Sequence, residues 1–196
     1  MFKQLLAIFF LALISFSYSQ YTLPGQCSDR KNIKPVENFQ FEKYGATGRK
    51  WYTIFTYISP ADCQFANFTV TSNVTLNFFW ERKNLTTGNW FIGRTDGVVT
   101  WTPDNGTRNG IISLKYPDIA DPLIYPILGI DYDGYTLDYR CVNINSTNRM
   151  ELIWARSRNR TYTAQQAAKV KQILSDNGLS DLAPTYAVQD PARCSP

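Results

Sequence analysis

Residues 135–157 read YTLDYRCVNINSTNRMELIWARS, and this stretch decides the fold. It holds two runs rich in β-branched and aromatic residues, 135–143 and 149–157, with the turn pair Asn145-Ser146 between them. Two such runs around a short polar break predict paired antiparallel strands. Working upstream, the same grammar repeats. Strand-like segments are expected at 51–58, 67–80, 89–94, 98–102, 110–116 and 122–130. Thr87-Gly88, Asp96-Gly97, Asn105-Gly106, Asn109-Gly110 and Asp133-Gly134 mark the breaks. Eight short strands in a meander must hide two free edges, which leaves a closed barrel or a two-sheet sandwich.

Downstream, Thr163 and Gln166 form a capping-box pattern, and Ala167, Val170, Ile173 and Leu174 recur at helical spacing before Gly178-Leu179. A single helix with one apolar stripe belongs on the outside of the sheet, and residues 185–188 then supply a ninth short strand. An immunoglobulin-like sandwich has no need of that helix, and its Cys, Trp, Cys order is missing. The residues imply an all-β chain: an eight-stranded antiparallel up-and-down β-barrel with one C-terminal α-helix packed outside. The polar stretch 20–44, with Pro24, Gly25 and Pro35, is an extended arm.

Composition narrows the function. The chain has 196 residues, enough for one domain, and no histidine. A Ser-His-Asp triad, a histidine zinc site and a histidine-ligated haem are thereby excluded. The formal charge of +4 is dispersed without a like-charge block, so no nucleic-acid partner is expected. Residues 1–19 combine one lysine, an apolar run from Leu5 to Ile14 and small residues at Ser17 and Ser19, the pattern of a signal peptide cleaved after Ser19. That run is too short to cross a bilayer, which takes about 20 residues, so no transmembrane segment is expected and the chain is expected to be secreted. N-x-[ST] sequons at Asn67, Asn73, Asn84, Asn105, Asn145 and Asn159 agree with an extracellular setting. So do four widely spaced cysteines, Cys27, Cys63, Cys141 and Cys194, with no CxxC. Two disulfides are expected, no metal site, and composition leaves three pairings open.

Three stretches resemble the lipocalin family, in its insect and crustacean bilin- and pigment-binding, apolipoprotein D-like branch. Residues 35–57, PVENFQFEKYGATGRKWYTIFTY, are similar to the family's opening helical turn and G-x-W strand. Residues 129–141, GIDYDGYTLDYRC, resemble its T-D-Y segment, and 152–167, LIWARSRNRTYTAQQA, its closing strand. The resemblance covers residues 20–196 as one barrel domain. It implies that Trp51 and Arg158 shut the narrow end, guanidinium against indole, and that Cys27 pairs with Cys141 and Cys63 with Cys194. Loops of that length are worth roughly 4–5 kcal/mol each on chain-entropy grounds. The sequence departs from the pattern in the extra residue of Gly48-Arg49-Lys50-Trp51, in Ile130 standing for the usual threonine, and in a shortened segment from Trp51 to Cys63.

The resemblance also orients the strands. With Trp51 inward, strict alternation turns Thr53, Phe55 and Tyr57 to the interior; an inward Trp154 brings Met150 and Leu152. Cys141 must face out to reach the arm, so Thr136, Asp138, Arg140 and Val142 point in. These ten residues are the expected ligand contacts, with Arg140 meeting either Asp138 or an acidic group such as a bilin propionate. The phases of Trp80, Trp90 and Trp101 stay open. The implied function is a carrier of one small hydrophobic ligand, a bilin such as biliverdin first, then carotenoid, fatty acid or another lipid. The competing reading is a glycosylated storage or interaction protein with a filled interior. Self-association is left open. Catalysis is not expected, since no nucleophile, carboxylate pair or metal set is evident.

Overall fold

The computed structural model describes residues 22–58, 62–103 and 107–195. The leader 1–19 and Asn105 lie outside the described residues. A two-residue strand, β1 (Leu23–Pro24), and a 3₁₀ turn at Cys27–Asp29 open the arm, which continues to the short helix α1 (Phe41–Tyr44). The barrel wall follows as β2 (Trp51–Thr56), β3 (Phe65–Ser72), β4 (Thr75–Lys83), β5 (Trp90–Ile92), β6 (Gly97–Trp101), β7 (Ile111–Lys115), β8 (Leu123–Asp131), β9 (Tyr135–Asn143) and β10 (Asn148–Ser157). Helix α2 (Ala164–Asp176), strand β11 (Thr185–Tyr186) and helix α3 (Pro191–Cys194) complete the chain. Each wall strand pairs with the next, except that β5 and β6 both pair with β4, and β10 returns to β2, with Trp154 opposite Thr56 and Ser157 opposite Tyr52. The result is a closed eight-position antiparallel barrel.

Two sequence expectations are corrected here, and their errors cancel in the strand count. The segment 67–80 is not one strand. It is a hairpin between β3 and β4 that turns at Ser72–Thr75, where the Thr71 hydroxyl donates to Thr75 O and the Val74 amide to Ser72 Oγ. The segments 89–94 and 98–102 share one wall position, because β5 and β6 both pair with β4. Between Ile92 and Gly97 the chain is longer than the stretch of β4 it faces, from Glu81 to Phe78, and the surplus bulges out. Arg94 fixes that bulge, reaching Asp96 and Asp118 at 2.6 Å each and lying 4.2 Å over the Tyr116 ring.

The end of the barrel at Trp51 is sealed by the arm. Val36 donates to Ile127 O and accepts from the Gly110 amide, stitching the arm across β7 and β8. Phe39, Phe41 and Tyr44 are driven beneath the barrel, each 0–1% exposed, and Trp101 packs among them, stacked on Phe41 at 5.9 Å. Helix α2 begins as its sequence predicts: Thr163 and Gln166 exchange both capping bonds. It ends at Gly178, whose φ of +68° lets Leu179 fold back, donate to Leu174 O and bury completely. Val170 and Ile173 press the helix onto the outside of the barrel, and Ala167, included in the expected apolar stripe, is exposed. Ile173 fits there because Gly129 leaves room, a Cβ at that glycine falling 2.6 Å from the Ile173 Cδ1.

The disulfides are Cys27–Cys141 and Cys63–Cys194, the pairing that the resemblance implies. One fastens the arm to β9, and the other fastens the C-terminal segment beside the entry to β3.

Candidate ligand cavity

The sealed end is built around Trp51, which is fully buried and donates its indole N–H to Tyr44 O at 2.9 Å. The Arg158 guanidinium lies 3.5 Å from the Trp51 ring centroid. Its nitrogens donate to the carbonyls of Tyr132 (3.0 Å), Arg49 (2.9 Å), Lys43 (3.2 Å) and Tyr44 (3.3 Å). Burial, with repulsion from Arg49, pulls Arg158 down to about 10, so it remains charged at neutral pH. A planar cation that gives every edge to a carbonyl can close a barrel end without a counter-ion.

Above this floor the barrel encloses a cavity of about 280 Å³. That is close to the lower bound of roughly 300 Å³ usual for small-molecule sites. Its wall is mostly apolar and aromatic: Phe68, Phe78, Trp80, Val99, Ile112, Leu114, Tyr116, Leu123, Tyr125 and Trp154. Tyr125 and Trp154 meet edge to face at 5.5 Å, and burial raises the Tyr125 phenol, which therefore stays protonated and uncharged. Exposed Arg82 belongs to the same lining and marks the end where the cavity meets solvent.

Of the ten expected contacts, Thr53, Asp138 and Trp154 line this cavity. Thr136 lies beneath, fully buried, with its hydroxyl 2.8 Å from the Asp138 carboxylate. Arg140, Val142, Met150 and Leu152 lie in the same alternation on β9 and β10 as Asp138 and Trp154, cross-paired as Leu152–Arg140 and Met150–Val142, and are not part of the cavity lining. Phe55 and Tyr57 are the correction. Thr53 pairs with Arg156 and Phe55 with Ala155, so Ile54 is an extra residue in β2, a bulge that reverses the facing of everything after it. Thr56 and Ile58 take the inward places. Phe55 and Tyr57 instead join Val170 and Leu174 around an outer crevice of about 990 Å³ beside α2.

The strongest polar feature of the cavity is a residue that the sequence reading did not name. Arg156 follows Trp154 by two on β10 and is 7% exposed. It pairs with Asp138, which also accepts from the Tyr44 hydroxyl at 3.1 Å and from Thr136. Burial and the adjacent Asp138 charge push Tyr44 well above its ordinary value, so it serves as a fixed donor. The alternation that carried Trp154 inward points to Arg156 as well. Asp138 is therefore engaged by Arg156 and not by Arg140, whose guanidinium sits half-buried, 6.0 Å over the Tyr125 ring. No carboxylate among the described residues forms an ion pair with Arg140.

Of the three tryptophans whose phase the sequence left open, Trp80 lines the cavity, Trp101 belongs to the floor and Trp90 lies on β5, packed against Phe65 at 6.1 Å. Trp80 is held by a close approach: a Cβ on Gly93 falls 2.2 Å from its ring. Gly93→Ala is expected to displace the indole and cost about 1–3 kcal/mol, with altered near-UV circular dichroism; an unchanged spectrum and midpoint contradict this packing. The rim clasp predicts a pH effect. Arg94 holds the Asp96 and Asp118 carboxyls below the usual range, so its stabilisation is present above that range and fades as pH falls through the lowered values. The fall in stability between pH 5 and pH 3 is expected to be shallower in Arg94→Met than in the wild type, and equal slopes rule the clasp out.

No protein-family model matches the chain. Apolipoprotein D of Cavia porcellus is 28% identical over 178 residues, covering 87% of this chain and 85% of the relative. That of Oryctolagus cuniculus is 26% identical over 176 residues, 85% and 84% of the two chains. Among solved structures, insecticyanin of Manduca sexta superposes with a TM-score of 0.67 at 18% identity, over 89% of this chain and 92% of that one. Lobster apocrustacyanin A1 gives 0.64 at 17%, over 88% and 93%. In its sealed end, its closed barrel with an outer helix and its near full-length extent, the chain is similar to these proteins, and that likeness supports a lipocalin assignment.

Proposed function

We propose that this protein is a secreted carrier that holds one small hydrophobic molecule in the barrel, with a bilin pigment the favoured ligand. The observation that carries the reading is the cavity itself, aromatic on most sides, closed at the Trp51 end and reaching solvent at Arg82. Such a site withdraws apolar surface from water, and the few polar groups orient what enters. The likeness to insecticyanin and apocrustacyanin supports a pigment. A solved amine-binding protein of Rhodnius prolixus, captured with tryptamine, shares the fold at a TM-score of 0.53 and 15% identity, so a small aromatic ligand is the second choice.

In this reading Arg140, without an acidic partner among the described residues, takes an acidic group of the ligand at the rim. Replacing Arg140 by Met is expected to weaken biliverdin binding about two- to fivefold, the range of a partly solvated ion pair. An unchanged affinity removes Arg140 from the site. Of the sequon asparagines, Asn73, Asn84, Asn145 and Asn159 are exposed and available for glycans, whereas Asn67 is half-buried within β3. Protein purified from its native source is expected to carry visible absorbance and an extractable tetrapyrrole. A colourless preparation without extractable apolar small molecules overturns the carrier reading.

A further inference from the structure

Arg156 brings a charge into an apolar enclosure, and the way that charge is balanced restricts what binds there. Its Nη1 is given to Asp138. Its Nε is buried and has no acceptor among the described residues, although the side chain is only 8% exposed and lines the cavity. Asp138, for its part, accepts from Arg156, Tyr44 and Thr136 together. The Arg156–Asp138 pair is thus charge-balanced but short of an acceptor. An unmet buried donor is costly, and a hydrogen bond to a charged donor is stronger than a neutral one. An anion brought to the same place adds a negative charge that the paired Arg156 and Asp138 do not offset, the Arg158 guanidinium being outside the cavity lining with its donors given to carbonyls, and burying it is unfavourable.

We infer that the floor of the cavity recognises a neutral hydrogen-bond acceptor, a ketone, lactam or ester carbonyl at the buried end of an otherwise apolar ligand, through the unpartnered Nε of Arg156. This rests on the carrier reading and deepens it. Ligands enter with an uncharged carbonyl foremost, and any acidic group stays at the rim near Arg82 and Arg140. A molecule with an acid at its leading end is disfavoured on the floor.

Decane, 2-decanone and decanoate at neutral pH separate the possibilities, read by the fluorescence of Trp80 and Trp154, with calorimetry as a check. The wild type is expected to bind 2-decanone about tenfold or more tighter than decane. Arg156→Met alone leaves Asp138 without its counter-ion, so the test variant is Asp138→Asn with Arg156→Met, in which the amide oxygen still accepts from Tyr44 and Thr136. That variant is expected to bind decane as well as the wild type does and to lose the preference for the ketone, with decanoate unaffected. Equal affinity of the wild type for ketone and alkane, or a loss of decanoate binding in the variant as large as the loss of ketone binding, overturns the inference and leaves the carrier reading standing. Failure of all three probes to bind the wild type removes both.

Discussion

Glu151→Ala is expected to lower the stability of this barrel by about 3–5 kcal/mol, the cost of leaving buried cations without their partner. Glu151 points out of β10 yet is covered completely, its side chain 0% exposed. Its carboxylate receives Arg149 Nε at 2.5 Å, Arg30 Nε at 2.7 Å and the Tyr139 hydroxyl at 3.2 Å. Arg30 continues to Gly178 O at 2.6 Å, at the end of α2, and Arg149 to Pro24 O in the arm. One acidic side chain therefore gathers the arm, the barrel wall and the helix terminus. The outer member, Asp181, has a side chain 60% exposed, and its ion pair with Arg30 is worth under about 1 kcal/mol. Urea denaturation of Glu151→Ala beside Asp181→Ala checks the contrast. A Glu151→Ala midpoint within experimental error of the wild type contradicts the assigned role.

Trp51→Ala is expected to be comparably severe, about 3–5 kcal/mol from lost burial and the void left behind. The tryptophan packs against Tyr44 at 6.3 Å and forms the surface on which Arg158 lies. Its loss exposes the floor to water as well as emptying it. Arg158→Lys is expected to fall between this variant and the wild type, because an ammonium keeps the charge but cannot present a planar fork to the separate carbonyls of Tyr132, Arg49 and Tyr44. Thermal and urea unfolding of the two variants give the order. Arg158→Lys at wild-type stability shows that charge alone suffices there.

Several of the interactions that decide the barrel are local and were legible in the residues. The Thr163–Gln166 cap, the Gly178-Leu179 stop and the strands 122–130, 135–143 and 149–157 correspond to observed elements. The hairpin at Ser72–Thr75 escaped because the turn residues Ser72 and Asn73 are set among β-branched neighbours, Val70, Thr71, Val74 and Thr75, which also suit an uninterrupted strand. Asp96-Gly97 did mark a break, but a break within one wall position, and only pairing to β4 distinguishes a bulge from a hairpin. On β9 and β10 the alternation argued from the outward cysteine and from Trp154 reaches Asp138 and Trp154, which line the cavity, while Arg140, Val142, Met150 and Leu152 are not in its lining. Arg156 was within reach of that same alternation. Ile54 was not: Ile54 and Phe55 are both apolar, so hydrophobicity carries no sign of which one is surplus.

The extra residue at Ile54 has a practical consequence for anyone re-engineering the specificity of this barrel. A combinatorial library that randomises every second position of β2 from Trp51 onward diversifies Phe55 and Tyr57, and so loosens the bed on which α2 rests while leaving the guest's surroundings untouched. Diversity placed at Thr53, Thr56 and Ile58 reaches the interior instead.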